Sequence, residues 1–590
     1  METYRHARIF LAIAVVAALF LFLGTHGLIE PDEGRYAEIG REMAADGDWV
    51  IPHMDGFAHL SNPPMIYWLT AASIKAFGAN EWAARLPSAL AALGTVWLVF
   101  LTGRSLFGPA AGIAAALVLL SSLEFFILAR TLTPDMVLTF WTTAALACFV
   151  QFARGKRSSG QWGFFIAMGF GFLTRGPMAL VVPVSAALFW QMAMKKIGAP
   201  IRILWFRGLS LTLVIGLSWF LILSLRYPLL FHYFLRYEFA DPFTTSLRGR
   251  GQPFWFFVPV LLVGLLPWTI FLPALAITVW RHWRKTRQRL ILGWFVVPFL
   301  VPSASGSKSL TYVLPLLPAF ALAFAGWWNS GTARGLVQQH TKIGSLFFLA
   351  FSIALVVVVE GFPRLGLIFS PVFLLCISAF ACVLVLLIWF FQQRVFTVFF
   401  LMAGGTLSLW LILAAQVEKV SPLFDRQASV RPLVREVKEM KAENAAIFSY
   451  GVRANGLEFY LRRLVGISVP EADLVIPPTH AQSLRLLHSP VDCARLGTAG
   501  TPVYGLVRAD EFEKTFSLRE WRVLGRNADF LIIGTNPVQP PTNGCGNQSR
   551  KRGHCCFAGS RTWLQPFGAQ RPGPGAGPAH ADELRLWQKF

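Results

Sequence analysis

Residues Pro31–Pro64 read PDEGRYAEIGREMAADGDWVIPHMDGFAHLSNPP and follow the first strongly apolar run of the chain. The segment begins with the adjacent carboxylates Asp32 and Glu33. An amphipathic helix pattern comes next, and Gly47 is predicted to end it. A polar loop that forms its own surface helix between membrane spans is more elaborate than a simple connection requires. We interpret it as one wall of a membrane-surface active site.

The helix pattern separates two kinds of residue onto opposite sides. Apolar or aromatic Tyr36, Ile39, Met43 and Ala44 share one side, whereas Glu38, Arg41 and Glu42 fall largely on the other. Asp32 has a simpler alternative role as the N-cap, and Glu33 as a complement to the N-terminal dipole. The structural and functional interpretations are compatible.

Composition sets the class of protein. The chain has 590 residues, of which 55% are hydrophobic and 14% charged, and its formal net charge is +22. Apolar windows of about 20 residues recur, which predicts a polytopic α-helical membrane protein. Much of the positive charge lies in short loops between these windows, which indicates membrane topology and anionic membrane ligands rather than nucleic-acid binding. The seven cysteines show no zinc-module or disulfide spacing.

We count about thirteen spans, the first of them Ile9–Gly24, which we interpret as retained rather than as a cleaved signal peptide. The others are Trp82–Leu101, Ala110–Leu128, Met136–Phe152, Trp162–Leu173, Met178–Met194, Leu209–Leu225, Phe254–Trp280, Leu290–Val301, Leu310–Trp328, Ile343–Val359, Leu365–Phe391 and Val395–Ala415. With the N-terminus in the cytoplasm, every strongly basic short loop falls on the cytoplasmic side. Pro31–Pro64 and the region after Ala415 then fall on the periplasmic side.

Three parts of the chain differ in composition. Residues 1–416 form a predicted transmembrane domain, with a first periplasmic loop over 28–80. Residues 417–536 are predicted to form a small periplasmic α/β domain, with helices at Ser429–Glu443 and Leu457–Arg463. Its predicted strands are Ala445–Tyr450, Pro502–Val507 and Phe530–Ile533. Residues 537–590 are rich in Pro, Gly, Arg and Cys, and we expect disorder there, or an out-of-frame tail.

The predicted topology places polar residues from distant parts of the sequence at one membrane face. They are Asp32, Glu33, Arg130, Asp135, Arg175, Glu238, Arg248, Arg250 and Lys308. A face that holds both carboxylates and fixed cations suits a reaction on a charged lipid headgroup. Each residue also has a simpler role: Asp135 complements a helix dipole, Arg175 anchors at the interface, and Lys308 is a loop lysine. Glu81 and Arg85, four residues apart, are interpreted as structural.

Several stretches resemble one family of membrane enzymes. They are DEGRYAEIGREM, GDWVIPHMDG, PPMIYWL, ANEWAARLPSAL, TPDMVLTF, FLTRGPMALVVP, PFWFFVPVLLVGLLPW and SKSLTYVLPLLPAFAL. Together they resemble the polyprenyl-phosphate-sugar glycosyltransferases, of the 4-amino-4-deoxy-L-arabinose lipid A transferase and protein O-mannosyltransferase type. The resemblance covers roughly Leu28–Leu322. It implies the membrane glycosyltransferase C fold and an external C-terminal α/β domain.

The chain departs from the family pattern at informative places. Family members usually carry Glu-Lys before the Pro pair, where this chain has Ser61-Asn62. The resemblance therefore leaves metal dependence open, because that Glu is implicated in metal binding and that Lys in contact with lipid phosphate. A common family lysine is Arg175 here, which keeps the charge. The sequence does not identify a metal or other cofactor.

The resemblance implies sugar transfer from undecaprenyl phosphate, on the periplasmic face of the bacterial inner membrane, with inversion at the anomeric carbon. The implied acceptor is lipid A or another envelope glycan, with a protein hydroxyl as the alternative. Candidate phosphate-binding residues are Arg175, Lys308, Tyr312, Arg248 and Arg250, with Glu238 and Arg130 in support. Candidate catalytic residues are Asp32, Asp135 and Glu33. Asp32 is expected to orient or deprotonate the acceptor, and Asp135 to support the same site.

Two other classes of protein compete with this interpretation. A secondary transporter places charges near the bilayer midplane on broken helices and often shows an internal repeat, which the sequence lacks. A noncatalytic scaffold gives no reason to gather carboxylates and cations from five loops, and it would keep its function without Asp32.

Overall fold

The structure is a computed structural model that describes residues 2–155, 159–196, 203–234, 252–282, 285–306, 308–329, 334–361, 370–419, 429–439, 445–452, 454–468, 476, 478–496, 502–518, 520–527 and 530–535. The predicted site residues Glu238, Arg248 and Arg250 lie outside these residues, as does the predicted tail 537–590.

Helices dominate the described chain. In the first three quarters they run over Glu2–Phe20, Asp32–Asp46, Met65–Phe77, Glu81–Phe107, Pro109–Ser121, Leu123–Leu128, Pro134–Ala153, Gly160–Arg175, Met178–Lys196, Trp205–Arg226, Leu229–Tyr233, Phe257–Gly264, Leu272–Arg281, Thr286–Ala304, Leu317–Trp328, Arg334–Gly361, Pro371–Phe390 and Val395–Lys419. Short 3₁₀ helices cover Phe254–Phe256, Trp268–Phe271 and Leu310–Leu316. The C-terminal helices are Arg431–Glu439, Gly456–Leu461, His480–Ser483, Pro490–Arg495 and Ala509–Thr515.

The chain is a multi-pass membrane protein. Seven helices in the described residues are long and apolar enough to cross a membrane: Glu81–Phe107, Pro134–Ala153, Met178–Lys195, Trp205–Arg226, Leu310–Trp328, Pro371–Phe390 and Phe396–Gln416. A pair bent by 111°, Phe254–Gly264 with Trp268–Arg281, brings the count to eight if it is one span. The predicted count of about thirteen is not confirmed.

Two predicted straight spans are broken, and the breaks contact each other. The run Ala110–Leu128 divides at Ser122, and the Ser121 and Ser122 hydroxyls donate to carbonyls of the preceding turn. Such back-bonding bends helices. The Leu123 amide donates to the carbonyl of Leu266 at 3.2 Å, and Trp268 Nε1 donates to Ser121 Oγ at 2.9 Å. Each break therefore supplies hydrogen-bond partners to the other.

In the C-terminal sheet region, residues 429–535, the described residues form five strands: β3 (Ala446–Tyr450), β4 (Gly466–Ile467), β5 (Val503–Arg508), β6 (Trp521–Asn527) and β7 (Phe530–Thr535). The order is β4-β3-β5-β7-β6, parallel on the β4 side and antiparallel on the β6 side. The three predicted strands are confirmed as β3, β5 and β7. Sequence reasoning missed the two-residue strand β4 and also β6, which has a register irregularity between Val523 and Gly525.

The sheet region packs onto the loop between the first helices. That loop contains a two-stranded hairpin, β1 (His53–Met54) and β2 (Phe57–Ala58), whose turn residues Asp55 and Gly56 have φ of 57° and 75°. Gln482 Nε2 donates to the Gly56 carbonyl at 2.5 Å, and Arg485 Nη2 to the Asp55 carbonyl at 2.7 Å. Tyr460 Oη accepts the Leu28 amide at 2.8 Å.

Candidate active site

The predicted first-loop helix is confirmed as Asp32–Asp46, and it ends at Gly47 as expected. Gly47 has a φ of 75°, and its amide donates to the Met43 carbonyl at 3.1 Å, a left-handed C-terminal cap that glycine adopts without strain. Pro31, not Asp32, occupies the N-cap position, so the N-cap role considered for Asp32 is wrong. The polar side of the helix is not a solvent-facing side, because Glu38 and Glu42 are fully buried.

Glu33, in the first turn of this helix, forms a fully buried ion pair with Arg85. Arg85 Nε and Nη2 donate to the two Glu33 oxygens at 2.9 and 2.7 Å. The remaining Arg85 donors reach the carbonyls of Leu23, His26 and Gly27 at 2.9–3.0 Å. The pair therefore joins the end of the first helix, the first-loop helix and the helix Glu81–Phe107.

The Glu33 carboxylate also binds the loop that precedes the helix Pro134–Ala153. It accepts the Ile29 and Leu132 amides at 3.0 and 2.8 Å. Burial alone would raise the pKa of Glu33, but Arg85 and these amides hold it below its usual value. Four protein donors occupy the two Glu33 oxygens, and these contacts favour a positioning role over the predicted catalytic role, which stays untested. Glu81 pairs with Arg431 at 3.0 Å, so both it and Arg85 are structural, but with different partners.

The predicted residues Asp135 and Arg175 lie in direct contact. Arg175 Nε and Nη2 donate to Asp135 Oδ1 and Oδ2 at 3.1 and 3.2 Å. Arg175 Nη1 donates to Asn62 Oδ1 at 3.4 Å, and the guanidinium lies over the Tyr312 ring at 5.5 Å. The Asp135 side chain is 5% exposed and that of Arg175 is 21% exposed, so the arginine is the member of the pair that solvent or a ligand can reach.

Lys308 lies four residues before Tyr312, just ahead of a 3₁₀ helix, and is buried. Its ammonium donates to the Ser305 and Gln252 carbonyls at 2.6 and 3.0 Å. An ammonium has three donors, so one N–H of Lys308 remains beyond these two bonds to described residues. Tyr312 is half-buried between Arg175 and the ring of Phe257, whose centroid lies 6.3 Å away.

Two further predicted residues lie apart from this contact group. The Asp32 side chain is 53% exposed and pairs with Arg35 Nη2 at 2.5 Å, three residues along the same helix. Arg130 Nη1 donates to the Ala18 carbonyl at 2.9 Å, and its guanidinium lies 5.4 Å from the Phe126 ring centroid. Burial lowers the pKa of Arg130 to about 10, which leaves it charged at neutral pH. These contacts give Arg130 a structural role.

The residues before the Pro pair do not fit the metal site that the resemblance implies. Ser61 Oγ lies 2.7 Å from His59 Nε2, and Asn62 is bonded to Arg175. A hydroxyl and an amide replace the family's acid and base, and neither offers the charged oxygen that divalent cations favour. We therefore derive no chemical step through a metal at this position.

Sequence reasoning missed two buried acidic features. Glu38, Glu42 and Glu458 each offer an oxygen within 4.8 Å of the others, and all three are buried. The repeated acids of DEGRYAEIGREM were the available signal, but no sequence pattern joined them to Glu458 about 400 residues later. Glu124, beside the break at Ser122, is also buried, and neither of its oxygens has a hydrogen-bond partner among the described residues.

Comparison with known proteins identifies relatives of both the sequence and the fold. The dolichyl-phosphate-mannose-protein mannosyltransferase family profile matches residues 61–220. The undecaprenyl phosphate-alpha-4-amino-4-deoxy-L-arabinose arabinosyl transferase of Edwardsiella ictaluri is 34% identical over 325 residues, 53% of this chain and 58% of the relative. The enzyme of the same description from Pectobacterium carotovorum is 34% identical over 362 residues, 59% of this chain and 64% of the relative.

A solved structure matches almost the whole described architecture. It is ArnT from Cupriavidus metallidurans bound to undecaprenyl phosphate, with a TM-score of 0.74 and 23% identity over 89% of this chain and 97% of that chain. The apo form of ArnT from the same organism also matches with a TM-score of 0.74. The chain is similar to these membrane glycosyltransferases in sequence and in fold. The predicted fold class, a helical membrane glycosyltransferase C fold with a small C-terminal sheet region, is confirmed. The chain spans about six tenths of the length of the curated relatives it matches.

Proposed function

We propose that this protein transfers a sugar from an undecaprenyl-phosphate donor to lipid A or another envelope glycan. The observation that carries the proposal is the Asp135–Arg175 pair, with Tyr312 against the guanidinium and Asn62 beside it. Membrane lipids surround such a site, and nucleic acid has no part in it. The matched relatives are described as enzymes that act on undecaprenyl-phosphate-linked aminoarabinose.

The electrostatics favour a phosphate leaving group. When the bond between sugar and phosphate breaks, negative charge grows on the polyprenyl phosphate, and nearby fixed donors stabilise it. A guanidinium has five N–H donors, and Arg175 uses two on Asp135 and one on Asn62. The remaining donors of Arg175, the third N–H of Lys308 and the hydroxyl of Tyr312 form the proposed phosphate site. Arg248 and Arg250 stay proposed members of it.

Asp135 and Glu33 have supporting roles in this proposal. Asp135 fixes the plane of the Arg175 guanidinium, because two N–H groups meet its two oxygens. Glu33 fixes Leu132, three residues before Asp135. Arg175 keeps the positive charge of the family lysine that it replaces, and Asn62, at the other family lysine position, accepts a hydrogen bond from it.

Asp32 is the proposed group on the acceptor side. It is the exposed carboxylate of the predicted catalytic set, at the N-terminus of the first-loop helix. A lipid A phosphate acceptor is already ionised, so Asp32 would orient it through Arg35 and stabilise positive charge on the sugar. A hydroxyl acceptor would instead need Asp32 as a general base. The reaction is proposed to invert the anomeric carbon.

A protein hydroxyl is the second candidate acceptor. One observation favours it: the family profile that matches residues 61–220 is that of protein mannosyltransferases, and this range includes Asn62, Asp135 and Arg175. The curated relatives that match over a longer range favour lipid A.

The proposed location is the bacterial inner membrane, with the first loop and the C-terminal sheet region in the periplasm. The basic short loops support this orientation through the positive-inside rule. The contacts of Tyr460 with Leu28 and Glu81 support one side for both parts. The domain division at about residue 416, with an α/β domain to 536, remains part of the proposal.

Mass spectrometry of envelope glycans tests the function directly. A deletion strain is compared with the same strain complemented by the wild-type chain or by Asp32→Asn. The proposal predicts a sugar modification of lipid A or another glycan that disappears on deletion and returns with the wild type alone. A change confined to glycosylated proteins would favour the second candidate. An unchanged set of envelope glycans and glycoproteins would contradict both.

A further inference from the structure

Four carboxylates from three distant segments converge outside the proposed phosphate site. Glu38 and Glu42 lie one turn apart on the first-loop helix, Asp55 is in the β1–β2 turn, and Glu458 is on the helix Gly456–Leu461. All four are buried, with side chains from the two sides of the interface between the first loop and the C-terminal sheet region. One oxygen each from Glu38, Glu42 and Glu458 lies within 4.8 Å of the others.

One oxygen in this cluster lacks a protein donor. Glu458 Oε1 accepts the Val465 amide at 2.7 Å, whereas Oε2 is buried and has no N–H or hydroxyl donor among the described residues, and the side chain beside it is the carboxyl group of Asp55. Glu458 is 1% exposed and is the member of the cluster contributed by the sheet region. A buried carboxylate oxygen without a donor is costly unless a cation or a proton satisfies it.

The other ligand candidates are already held in place. Arg41 donates to both Glu38 oxygens at 2.5 and 2.7 Å, and the Gly56 amide donates to both Glu42 oxygens at 3.0–3.1 Å. Donors of this kind orient metal-binding carboxylates from outside the coordination shell.

Three of these carboxylates, those of Glu38, Glu42 and Glu458, lie close together, and Arg41 pairs with Glu38. Burial raises the pKa of Glu38 to about 7 and raises the pKa values of Glu42 and Glu458 well above their ordinary value. The three groups are therefore not all stabilised in the ionised form by the protein alone.

We propose that Glu38, Glu42 and Glu458, with Asp55 beside them, bind a hard divalent cation of the Ca²⁺ and Mg²⁺ class. The ligand set contains oxygen alone, which suits these ions better than Zn²⁺ or Cu²⁺. The ion would join the first loop to the C-terminal sheet region, and so hold the helix that carries Asp32. The site differs from the family metal position at Ser61.

The test uses the full chain in nanodiscs, stripped with EDTA and then titrated separately with CaCl₂, MgCl₂, MnCl₂ and ZnCl₂. Calorimetry gives stoichiometry and affinity, and thermal unfolding gives the change in Tm. The variants are Glu458→Gln and Glu42→Gln, which keep side-chain shape and remove one ligand charge. The matched control is Glu513→Gln, an exposed acid of the sheet region. Circular dichroism checks that each variant is folded.

The proposal predicts one bound Ca²⁺ or Mg²⁺ per wild-type chain, a Tm that rises with cation concentration, and at least tenfold weaker binding in both ligand variants. The Glu513→Gln control should bind as the wild type does. Absence of saturable Ca²⁺ and Mg²⁺ binding, or equal binding in wild type and both ligand variants, would overturn it and leave shared protons as the stabilising element. Neither result depends on sugar transfer, so the proposed function is tested separately.

Discussion

Arg175 and Asp135 form a bidentate ion pair between the ends of two helices, with nitrogen–oxygen distances of 3.1 and 3.2 Å. Asp135 lies in the first turn of Pro134–Ala153, and Arg175 is the last residue of Gly160–Arg175. Each charge therefore also complements the dipole of its own helix. The pair presents part of the guanidinium outward and keeps the carboxylate buried, which suits an anion-binding role for the arginine.

The first prediction concerns the buried pair of Glu33 and Arg85. Removing one partner leaves an uncompensated buried charge, so Glu33→Gln or Arg85→Met should each lower the free energy of unfolding by about 3–5 kcal/mol. Thermal unfolding in detergent measures the loss. The double variant should cost less than the sum of the two single changes. Additive losses would show that the two side chains are not coupled.

A second prediction follows from the acidic cluster. Glu38 has a folded-state pKa of about 7 against an ordinary value of 4.5, because it is buried and faces Glu42, Asp55 and Glu458 as well as Arg41. The folded protein then binds more protons than the unfolded chain between about pH 4.5 and 7, so stability should fall as pH rises through this window. The check is Tm in EDTA from pH 5 to 8, with Glu38→Gln expected to show a smaller slope. A rising wild-type Tm would contradict the assignment.

Local patterns predicted the elements of the site better than its contacts. The first-loop helix, its end at Gly47 and the strands β3, β5 and β7 follow from periodicity and glycine position. Topology alone was enough to group Asp135 with Arg175. The partner of Glu33 could not be predicted, because Arg85 is 52 residues away and an i,i+4 acid, Glu81, lies nearer in sequence.

Tertiary packing also overrode two local patterns. The acids Glu38 and Glu42 read as the exposed side of an amphipathic helix, but the sheet region covers that side with Glu458. The apolar run Ala110–Leu128 reads as one continuous span, yet it breaks where Ser121 and Ser122 bond back to the helix. Both outcomes depend on residues far along the chain, which periodicity does not record.

Membrane orientation gives a third prediction. In a background that lacks the native cysteines, Asp46→Cys and Thr479→Cys should react with an impermeant thiol reagent added to the periplasmic side. Ser159→Cys should react after membrane permeabilisation alone. All three positions are exposed, so burial does not limit the reaction. Labelling of Ser159→Cys from the periplasm would contradict the orientation.

The fourth prediction concerns the tail. Residues 537–590 lack apolar periodicity, so truncation after Asn536 should leave transferase activity near that of the full chain. Activity per folded protein is the measurement, with expression level as its control. A loss above about tenfold, or about 1.4 kcal/mol in the activation free energy, would assign the tail a role in the reaction.

The fifth prediction divides the work between the acceptor carboxylate and the phosphate-binding cations. Asp32→Asn should lower turnover at least about a hundredfold, or about 2.7 kcal/mol, with little change in donor binding. Arg175→Ala and Lys308→Ala should weaken donor binding and also lower turnover, because the donor phosphate is charged before and during the reaction. Arg175→Lys should retain much of the activity but lose the bidentate hydrogen bonding to Asp135. The exposed Arg508→Ala is the control.

The most direct test of the account is donor binding and single-turnover transfer in nanodiscs, measured on these variants with undecaprenyl-phosphate aminoarabinose and lipid A. The account predicts weak donor binding in Arg175→Ala and Lys308→Ala, normal binding with slow transfer in Asp32→Asn, and wild-type behaviour in Arg508→Ala. Wild-type donor binding by folded Arg175→Ala and Lys308→Ala would contradict it, because the phosphate site would then lie elsewhere.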